Sequence, residues 1–381
     1  MPRSRPRKKY VPPVGFMLIL FALFNIVEWP SIDSDDETTA IYDANAEEQN
    51  SPLMKWARMP SWKTKLKRID EIPDEPPDSV LFWHIPKCGG TTAKKLYECM
   101  GKTVTTRVGV IPKYGYQDTK ELVVFQPYPH QDWKTVNVDT TTLDGIVRAK
   151  KMGLVQSHLA DVIVSMEMGA AVQHLYTSRG DGRNKGRVFA MFRHPIDRLV
   201  SKFYYLQVAT WEKSYRPEWK DLTLIDWAKN NKRAGADSNI MVQKLTGEAW
   251  SDRVGERDLR VAKKILRDYV VVGLLDDAEE SFRRFNIVLG IDPKEERNER
   301  CMNELFSSKE NSNKHPKVRV LCLDAAVHLH YVHIHAFDVQ IEEGSAEWNI
   351  LSRKNILDIR LYRYIERLYA EQKSIIDSYV T

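Results

Sequence analysis

The sequence has few cysteines and no internal repeat, and it carries no excess charge beyond its first ten residues. Four cysteines in 381 residues are too few for a disulfide scaffold. Five basic and no acidic side chains precede residue 10, which leaves 52 basic and 52 acidic side chains in the remainder. Since that remainder is neutral overall, the composition gives no reason to expect a nucleic-acid partner.

The sequence contains one apolar run long enough to reach across a bilayer, residues 11–27, in which Asn25 is polar. Its length lies at the short end of the roughly 17–25 residues of a membrane-spanning helix. Basic residues precede the run and acidic residues follow it, so the positive-inside rule places residues 1–10 in the cytosol as a basic tail. A cleaved signal peptide is the alternative, although no small-x-small cleavage site follows. Both interpretations direct the rest of the chain into the secretory lumen.

Residues 28–78 are polar and predict a stem or linker, because such a composition buries little apolar surface. From residue 79 to residue 381, short apolar runs alternate with helical patterns. The predicted strands are residues 79–84, 153–158, 187–192 and 269–275. Near-continuous apolar strands between helices indicate an α/β domain, a mostly parallel central sheet flanked by helices in three layers.

The first strand leads into "HIPKCGGTTAKKLYECM", residues 84–100, which predicts a tight glycine-rich loop and a helix. The loop lacks the Gly-Lys-Ser/Thr ending of a nucleoside-triphosphate P-loop, which argues against a kinase. In α/β sheets, ligands bind at the carboxyl ends of strands, and the N-termini of helices hold anions there. The segment therefore predicts a P-loop-like anion site.

The residue types in this loop suit a phosphate or a sulfate. Gly89 and Gly90 let backbone N–H groups approach an anion closely. Thr91 and Thr92 supply hydroxyl donors, and Lys87 is placed to neutralise charge on a leaving oxygen. The alternative explanation is a glycine-rich turn with a solvated lysine.

A second segment, "MFRHPIDRLVSKFYY", repeats the pattern of a strand end followed by a helix. Pro195 suits the first turn of a helix. Arg193 at the strand end and Ser201 on the helix form a pair that binds a second phosphate through charge-assisted hydrogen bonds. The alternative is an ordinary amphipathic helix with surface charges.

Together the two segments resemble the donor-binding motifs of the membrane-anchored Golgi carbohydrate sulfotransferases, and most closely those of the heparan and uronyl 2-O-sulfotransferase type. "HIPKCGGTT" is similar to a 5′-phosphosulfate loop that often reads "PKTGGTT", and "RHPIDRLVS" is similar to a 3′-phosphate motif. Cys88 replaces a common threonine, and His194 replaces aspartate or asparagine. We interpret Cys88 first as a small residue that fills the loop; the alternative expectation is a lowered thiol pKa, because it stands beside Lys87 at the start of a helix.

The resemblance implies transfer of the sulfuryl group of 3′-phosphoadenosine 5′-phosphosulfate (PAPS) to a hydroxyl of a glycan, by in-line displacement and without a metal. The implied binding residues for the donor are Lys87, Cys88, Gly89, Gly90, Thr91, Thr92, Arg193 and Ser201. Lys87 would also be catalytic, stabilising the leaving 5′-phosphate. His158, in a segment similar to the one that holds the catalytic histidine of 2-O-type relatives, would be the general base, with His84 as the second candidate.

The implied location is the Golgi membrane, with a single-pass type II anchor and a lumenal catalytic domain. One alternative is a lumenal glycosyltransferase, whose Asp-x-Asp metal motif would have to be Asp33–Asp35, inside the predicted stem. Another is a non-catalytic protein that binds nucleotide and glycan with the same fold. A histidine-rich segment, residues 328–335, has no function in this interpretation, and the pairing of Cys301 with Cys322 and the oligomeric state stay open.

Overall fold

The computed structural model describes nine ranges of the chain. These are residues 59–72, 79–105, 110–127, 133–178, 184–210, 215–229, 238–247, 254–306 and 341–379. The chain divides into two units, residues 1–56 and 57–381, and every described residue belongs to the second. The predicted tail, the predicted anchor and most of the predicted stem lie outside the described residues, as do Asp33–Asp35, Cys322 and residues 328–335. Among the described helices, none combines the length and the apolar composition that crossing a bilayer requires.

The described residues form a sheet of seven strands in the order β3-β4-β2-β5-β1-β6-β7. The strands are β1 (Ser79–Trp83), β2 (Val104–Thr105), β3 (Val124–Phe125), β4 (Thr135–Val136), β5 (Val162–Ser165), β6 (Gly186–Phe192) and β7 (Val270–Leu274). All neighbouring strands pair in parallel except β3 and β4, which are antiparallel. The predicted α/β class with a mostly parallel sheet is confirmed.

Helices connect the strands and extend the chain beyond β7. They are α1 (Gly90–Cys99), α2 (Val110–Lys113), α3 (Leu143–Lys151), α4 (Leu154–Ser157), α5 (Met168–Leu175), α6 (Pro195–Val208), α7 (Leu224–Lys229), α8 (Ile240–Thr246), α9 (Glu256–Tyr269), α10 (Ala278–Val288), α11 (Glu296–Phe306), α12 (Ala346–Lys354) and α13 (Ile356–Asp377).

The central strands are apolar throughout because both faces of the sheet are covered. On β1, Leu81 and Trp83 belong to the core that lies under α5, α9 and α13. The alternate residues, Val80 and Phe82, belong to the core under α1, α10 and α11. A strand buried on both faces reads as a continuous apolar run. This is why the runs at β1, β6 and β7 were visible in the sequence.

The strand predicted at residues 153–158 is wrong. Gly153 has a left-handed backbone (φ 74°) and begins the short helix α4, and His158 ends it with φ 51°. Leu154 and Val155 are buried in the core from this single helical turn. A short apolar run does not by itself distinguish a strand from a buried helical turn. The strand of this region is β5, which begins four residues after His158.

Part of the predicted stem packs against the sheet. Trp62 and Leu66 are buried in the core, and Leu66 forms an isolated parallel bridge with Gly186, the first residue of β6. The buried Arg187 side chain donates hydrogen bonds to the carbonyl oxygens of Arg68 and Glu71. Residues 59–72 are therefore a folded part of the second unit.

A disulfide joins Cys99, the last residue of α1, to Cys301 on α11. The pairing of Cys301 with Cys322, left open by the sequence, is therefore not formed. Helices α1 and α11 pack against each other on one face of the sheet, and the Arg297 side chain donates a hydrogen bond of 2.6 Å to the carbonyl of Cys99. The sequence did not indicate this pair, because the two cysteines are 202 positions apart in the chain.

Candidate functional site

The glycine-rich loop lies at the carboxyl end of β1, in the middle of the sheet. The backbone N–H of His84 donates a hydrogen bond of 2.9 Å to the carbonyl of Ser165, the last residue of β5. The loop then turns through two left-handed residues, Lys87 (φ 70°) and Gly89 (φ 82°), and α1 begins at Gly90. The first N–H groups of a helix have no intrahelical acceptor. Those of α1 therefore lie where an anion at the sheet edge would meet them.

Gly90 is required because the imidazole of His84 lies against it. A Cβ atom placed on Gly90 would lie 1.9 Å from Cδ2 and 2.1 Å from Nε2 of His84. Burial, with smaller contributions from the nearby Lys94 and Lys87, lowers the pKa of His84 to about 3. The imidazole under the loop is therefore neutral near pH 7.

Cys88 connects the loop to the neighbouring strand. Its side chain is fully buried, and burial raises the thiol pKa to about 11. The positive charges of Arg198 and Arg193, and to a smaller extent the backbone N–H of Arg193 that faces the sulfur, offset part of the effect of burial on the pKa. The expectation of a lowered thiol pKa is wrong, because desolvation outweighs the neighbouring positive charges. Cys88 fills the loop as a neutral side chain.

Arg193 and Ser201 lie beside this loop. β6 pairs in parallel with β1, and Trp83 is in register with Ala190, so both strands end at the same edge of the sheet. Arg193 follows β6 directly, and α6 begins at Pro195. Arg193 and Ser201 are both half-buried. The two predicted anion-binding segments thus follow neighbouring strands.

α6 also contacts the loop through two other side chains. Arg198 is 1% exposed and contributes to the electrostatic environment of the Cys88 thiol, so it lies behind the loop. One turn beyond Ser201, the ring of Tyr205 lies 3.9 Å from Nζ of Lys87, centroid to atom. The lysine of one motif therefore contacts the helix of the other.

The structure places His158 away from the loop. His158 is exposed and precedes β5 by four residues, and the next turn of chain is held by a hydrogen bond from the N–H of Asp161 to the carbonyl of Thr103, just before β2. It therefore lies at the amino-terminal edge of the sheet. The loop lies at the opposite edge. The two edges are about 16 Å apart, which is the length of a five-residue strand such as β1. His158 and Lys87 are not brought together.

A carboxylate that the sequence prediction missed follows β5, the strand that pairs in parallel with β1. Glu167 is two residues beyond the end of β5, and its backbone N–H donates to the Ser165 hydroxyl at 3.1 Å. Both carboxylate oxygens lie 2.6 Å from Nζ of Lys244 on α8, and the Glu167 side chain is 35% exposed. The apolar run "VIVS", residues 162–165, was the sequence signal that could have indicated this residue. If that run had been predicted as the strand, Glu167 would have been placed just after the end of a strand.

His194 lies in an aromatic cluster next to Arg193. Its ring stacks on Trp348 of α12 at a centroid distance of 5.4 Å, and Tyr362 of α13 meets it edge-on. Burial lowers the pKa of His194, and the carboxylates of Asp197, Asp276 and Glu343 oppose this effect. The ring therefore packs between helices instead of extending from the sheet edge.

Within the described ranges, no group of three or more His, Cys, Asp or Glu side chains is arranged to hold a metal ion. No protein-family model matches this sequence, and no curated protein is significantly similar to it.

Proposed function

We propose that the protein is a PAPS-dependent sulfotransferase that sulfates a hydroxyl group of a carbohydrate. One observation supports this most strongly: the two motifs, far apart in the sequence, follow the neighbouring strands β1 and β6. Their loops lie against each other, since both the backbone N–H and the positive charge of Arg193 act on the Cys88 thiol. A donor with phosphates at both its 3′ and 5′ positions needs two such anion sites side by side.

Each of the two proposed phosphate sites contains groups that can bind its phosphate. At the 5′ end, the N–H groups from Gly89 to Thr92 bind the phosphosulfate, because the left-handed Gly89 turns the backbone into the start of α1. At the 3′ end, the guanidinium of Arg193 and the hydroxyl of Ser201 bind the other phosphate. The buried Cys88 carries no negative charge that would repel the donor.

The chemical step breaks one bond and forms one. The acceptor hydroxyl oxygen forms a bond to sulfur as the bond from sulfur to the bridging oxygen of the 5′-phosphate breaks. The bonding electrons stay on that oxygen, and the ammonium of Lys87 stabilises its charge. The hydroxyl proton passes to a general base.

We assign the base to Glu167 in place of His158. Glu167 follows β5, the strand beside β1, its carboxylate is 35% exposed, and Lys244 holds both of its oxygens. The other candidate, His84, is packed against Gly90, and a pKa of about 3 makes it a weak base near neutral pH. Glu167 then receives the acceptor proton while Lys87 serves the leaving group.

The acceptor and the location follow from the resemblance to the Golgi enzymes. The disulfide between Cys99 and Cys301 supports an oxidising compartment, because such bonds persist in the secretory pathway and are rare in the cytosol. We therefore propose a glycan acceptor, a Golgi lumenal domain and a type II membrane anchor at residues 11–27.

Ligand binding and transfer by the full-length chain test this function. Adenosine 3′,5′-bisphosphate is expected to raise the thermal unfolding temperature, and ³⁵S-labelled PAPS is expected to label one or more members of a panel of desulfated glycans. Stabilisation by a nucleotide sugar with Mn²⁺, and none by the bisphosphate, would overturn the proposal in favour of a glycosyltransferase. Binding of the bisphosphate without transfer to any acceptor would support the non-catalytic alternative.

A further inference from the structure

The ammonium group of Lys87 lies against an aromatic ring of another element. Its Nζ atom lies 3.9 Å from the centroid of the Tyr205 ring. Its backbone is left-handed, with φ 70°, a conformation uncommon for residues other than glycine. Contacts with the surrounding structure must stabilise such a residue, and the ring of Tyr205 is one of them.

Tyr205 and Ser201 lie four residues apart on α6 and so share one face of the helix. Ser201 is the proposed ligand of the 3′-phosphate, whereas Lys87 is the proposed partner of the leaving oxygen at the 5′ end. Tyr205 is therefore the point at which the helix of the 3′ site contacts the catalytic lysine of the 5′ site.

A contact between an ammonium group and an aromatic ring suits a lysine that must move from the ring to the leaving oxygen. An aromatic face attracts an ammonium electrostatically without a directional hydrogen bond. A carboxylate in the same place would hold the ammonium more tightly and would neutralise the charge that the leaving oxygen needs. The ring holds the ammonium group of Lys87 in place, and it leaves the positive charge available.

We propose that Tyr205 is a positioning residue for Lys87, which it holds at the donor site and releases to the leaving oxygen as negative charge develops there. This inference rests on the proposed sulfotransferase function. It predicts that Tyr205 affects the rate of sulfuryl transfer and not the affinity for PAPS.

The test compares three variants of the full-length chain. Tyr205→Leu removes the aromatic face, Tyr205→Phe keeps it, and Tyr204→Leu makes the same loss at the adjacent tyrosine, which packs with Phe203 in another cluster. Tyr205→Leu is expected to lower kcat about 5- to 30-fold and to leave KM for PAPS within about twofold. Tyr205→Phe should recover most of that loss, and Tyr204→Leu should leave kcat unchanged.

A second readout needs neither donor nor turnover. In the ligand-free chain, acylation of Lys87 by an amine reagent, followed by peptide mass spectrometry, should be several-fold faster in Tyr205→Leu than in the wild type, because the ring lies against the amine and covers it. Equal labelling of Lys87 in both would overturn the proposal, as would a wild-type kcat in Tyr205→Leu. If Tyr205→Leu does not fold, Tyr205→Met takes its place.

The two proposals fail in different ways. If adenosine 3′,5′-bisphosphate does not bind the wild type, the sulfotransferase function is wrong, whatever the labelling shows. If the bisphosphate binds and PAPS is turned over, but neither kcat nor Lys87 labelling responds to Tyr205→Leu, only the role of Tyr205 is wrong.

Discussion

The backbone N–H of Arg193 faces the buried sulfur of Cys88 and acts to lower its thiol pKa, against the larger effect of burial. The loop after β1 and the loop after β6 are therefore in contact, as two neighbouring phosphate sites require. Because burial keeps the thiol neutral, with a pKa of about 11, no negative charge develops at this contact in the physiological pH range.

Lys87→Ala is expected to reduce sulfate transfer from labelled PAPS by about 100- to 1,000-fold, because the charge on the leaving oxygen loses its partner. The matched control is Lys294→Ala, which removes an exposed lysine before α11. Equal loss in both variants, or normal turnover by Lys87→Ala, would contradict the role of Lys87.

Arg193→Ala is expected to weaken binding of adenosine 3′,5′-bisphosphate by about 10- to 100-fold, the effect of losing charge-assisted hydrogen bonds to a phosphate. Isothermal titration calorimetry measures this, with the exposed Arg300→Ala as control. Adenosine 5′-monophosphate, which lacks the 3′-phosphate, should show almost no difference between wild type and Arg193→Ala. A similar loss for both nucleotides would place Arg193 elsewhere in the site.

Glu167→Gln is expected to lower kcat by about 100- to 10,000-fold, since the amide cannot accept the acceptor proton. His158→Gln should leave kcat unchanged, because His158 lies at the other edge of the sheet. Initial rates at saturating PAPS and acceptor decide between the two. The reverse result, with His158→Gln inactive and Glu167→Gln active, would restore the histidine base implied by the sequence resemblance.

Gly90→Ala is expected to destabilise the fold by about 1–3 kcal/mol, because its methyl group would meet the His84 ring. It should also weaken bisphosphate binding, since the start of α1 must shift. Gly255→Ala is the control, because a Cβ atom there meets nothing within 4 Å. Denaturant unfolding gives the free energies. Equal stability of the two variants would show that His84 moves aside without cost.

His84 makes the stability depend on pH. Its folded pKa of about 3 lies below the ordinary histidine pKa of 6.5, so the unfolded chain binds the proton first as the pH falls. The contribution of neutral His84 to the free energy of unfolding is present above pH 6.5 and is lost as the pH falls toward about 3. Between pH 7 and pH 5 the wild type should lose on the order of 1–2 kcal/mol from this group. His84→Gln should lose less over the same interval, as measured by urea unfolding.

The local features of the site were visible in the sequence because each depends on neighbouring residues. The predicted helix formed as α1, which buries Ala93, Leu96 and Tyr97, and Met100 directly after it continues the same apolar spacing. The positive φ of Gly89 and the close approach at Gly90 explain why both positions are glycine. The exception is residues 153–158, where the same short apolar run fits a strand or a buried turn.

The amino-acid sequence by itself determined the fold class, the buried strands β1, β6 and β7 and the composition of the two proposed anion-binding loops, since burial and backbone conformation are set within a few residues. Only the tertiary structure decided which strands are neighbours. Strand order and register depend on contacts between residues far apart in the chain, and a local pattern does not record them. That order brings Arg193 and Tyr205 to the Lys87 loop, and it puts Glu167 and His158 beyond opposite ends of β5. The tertiary structure likewise pairs Cys99 with Cys301.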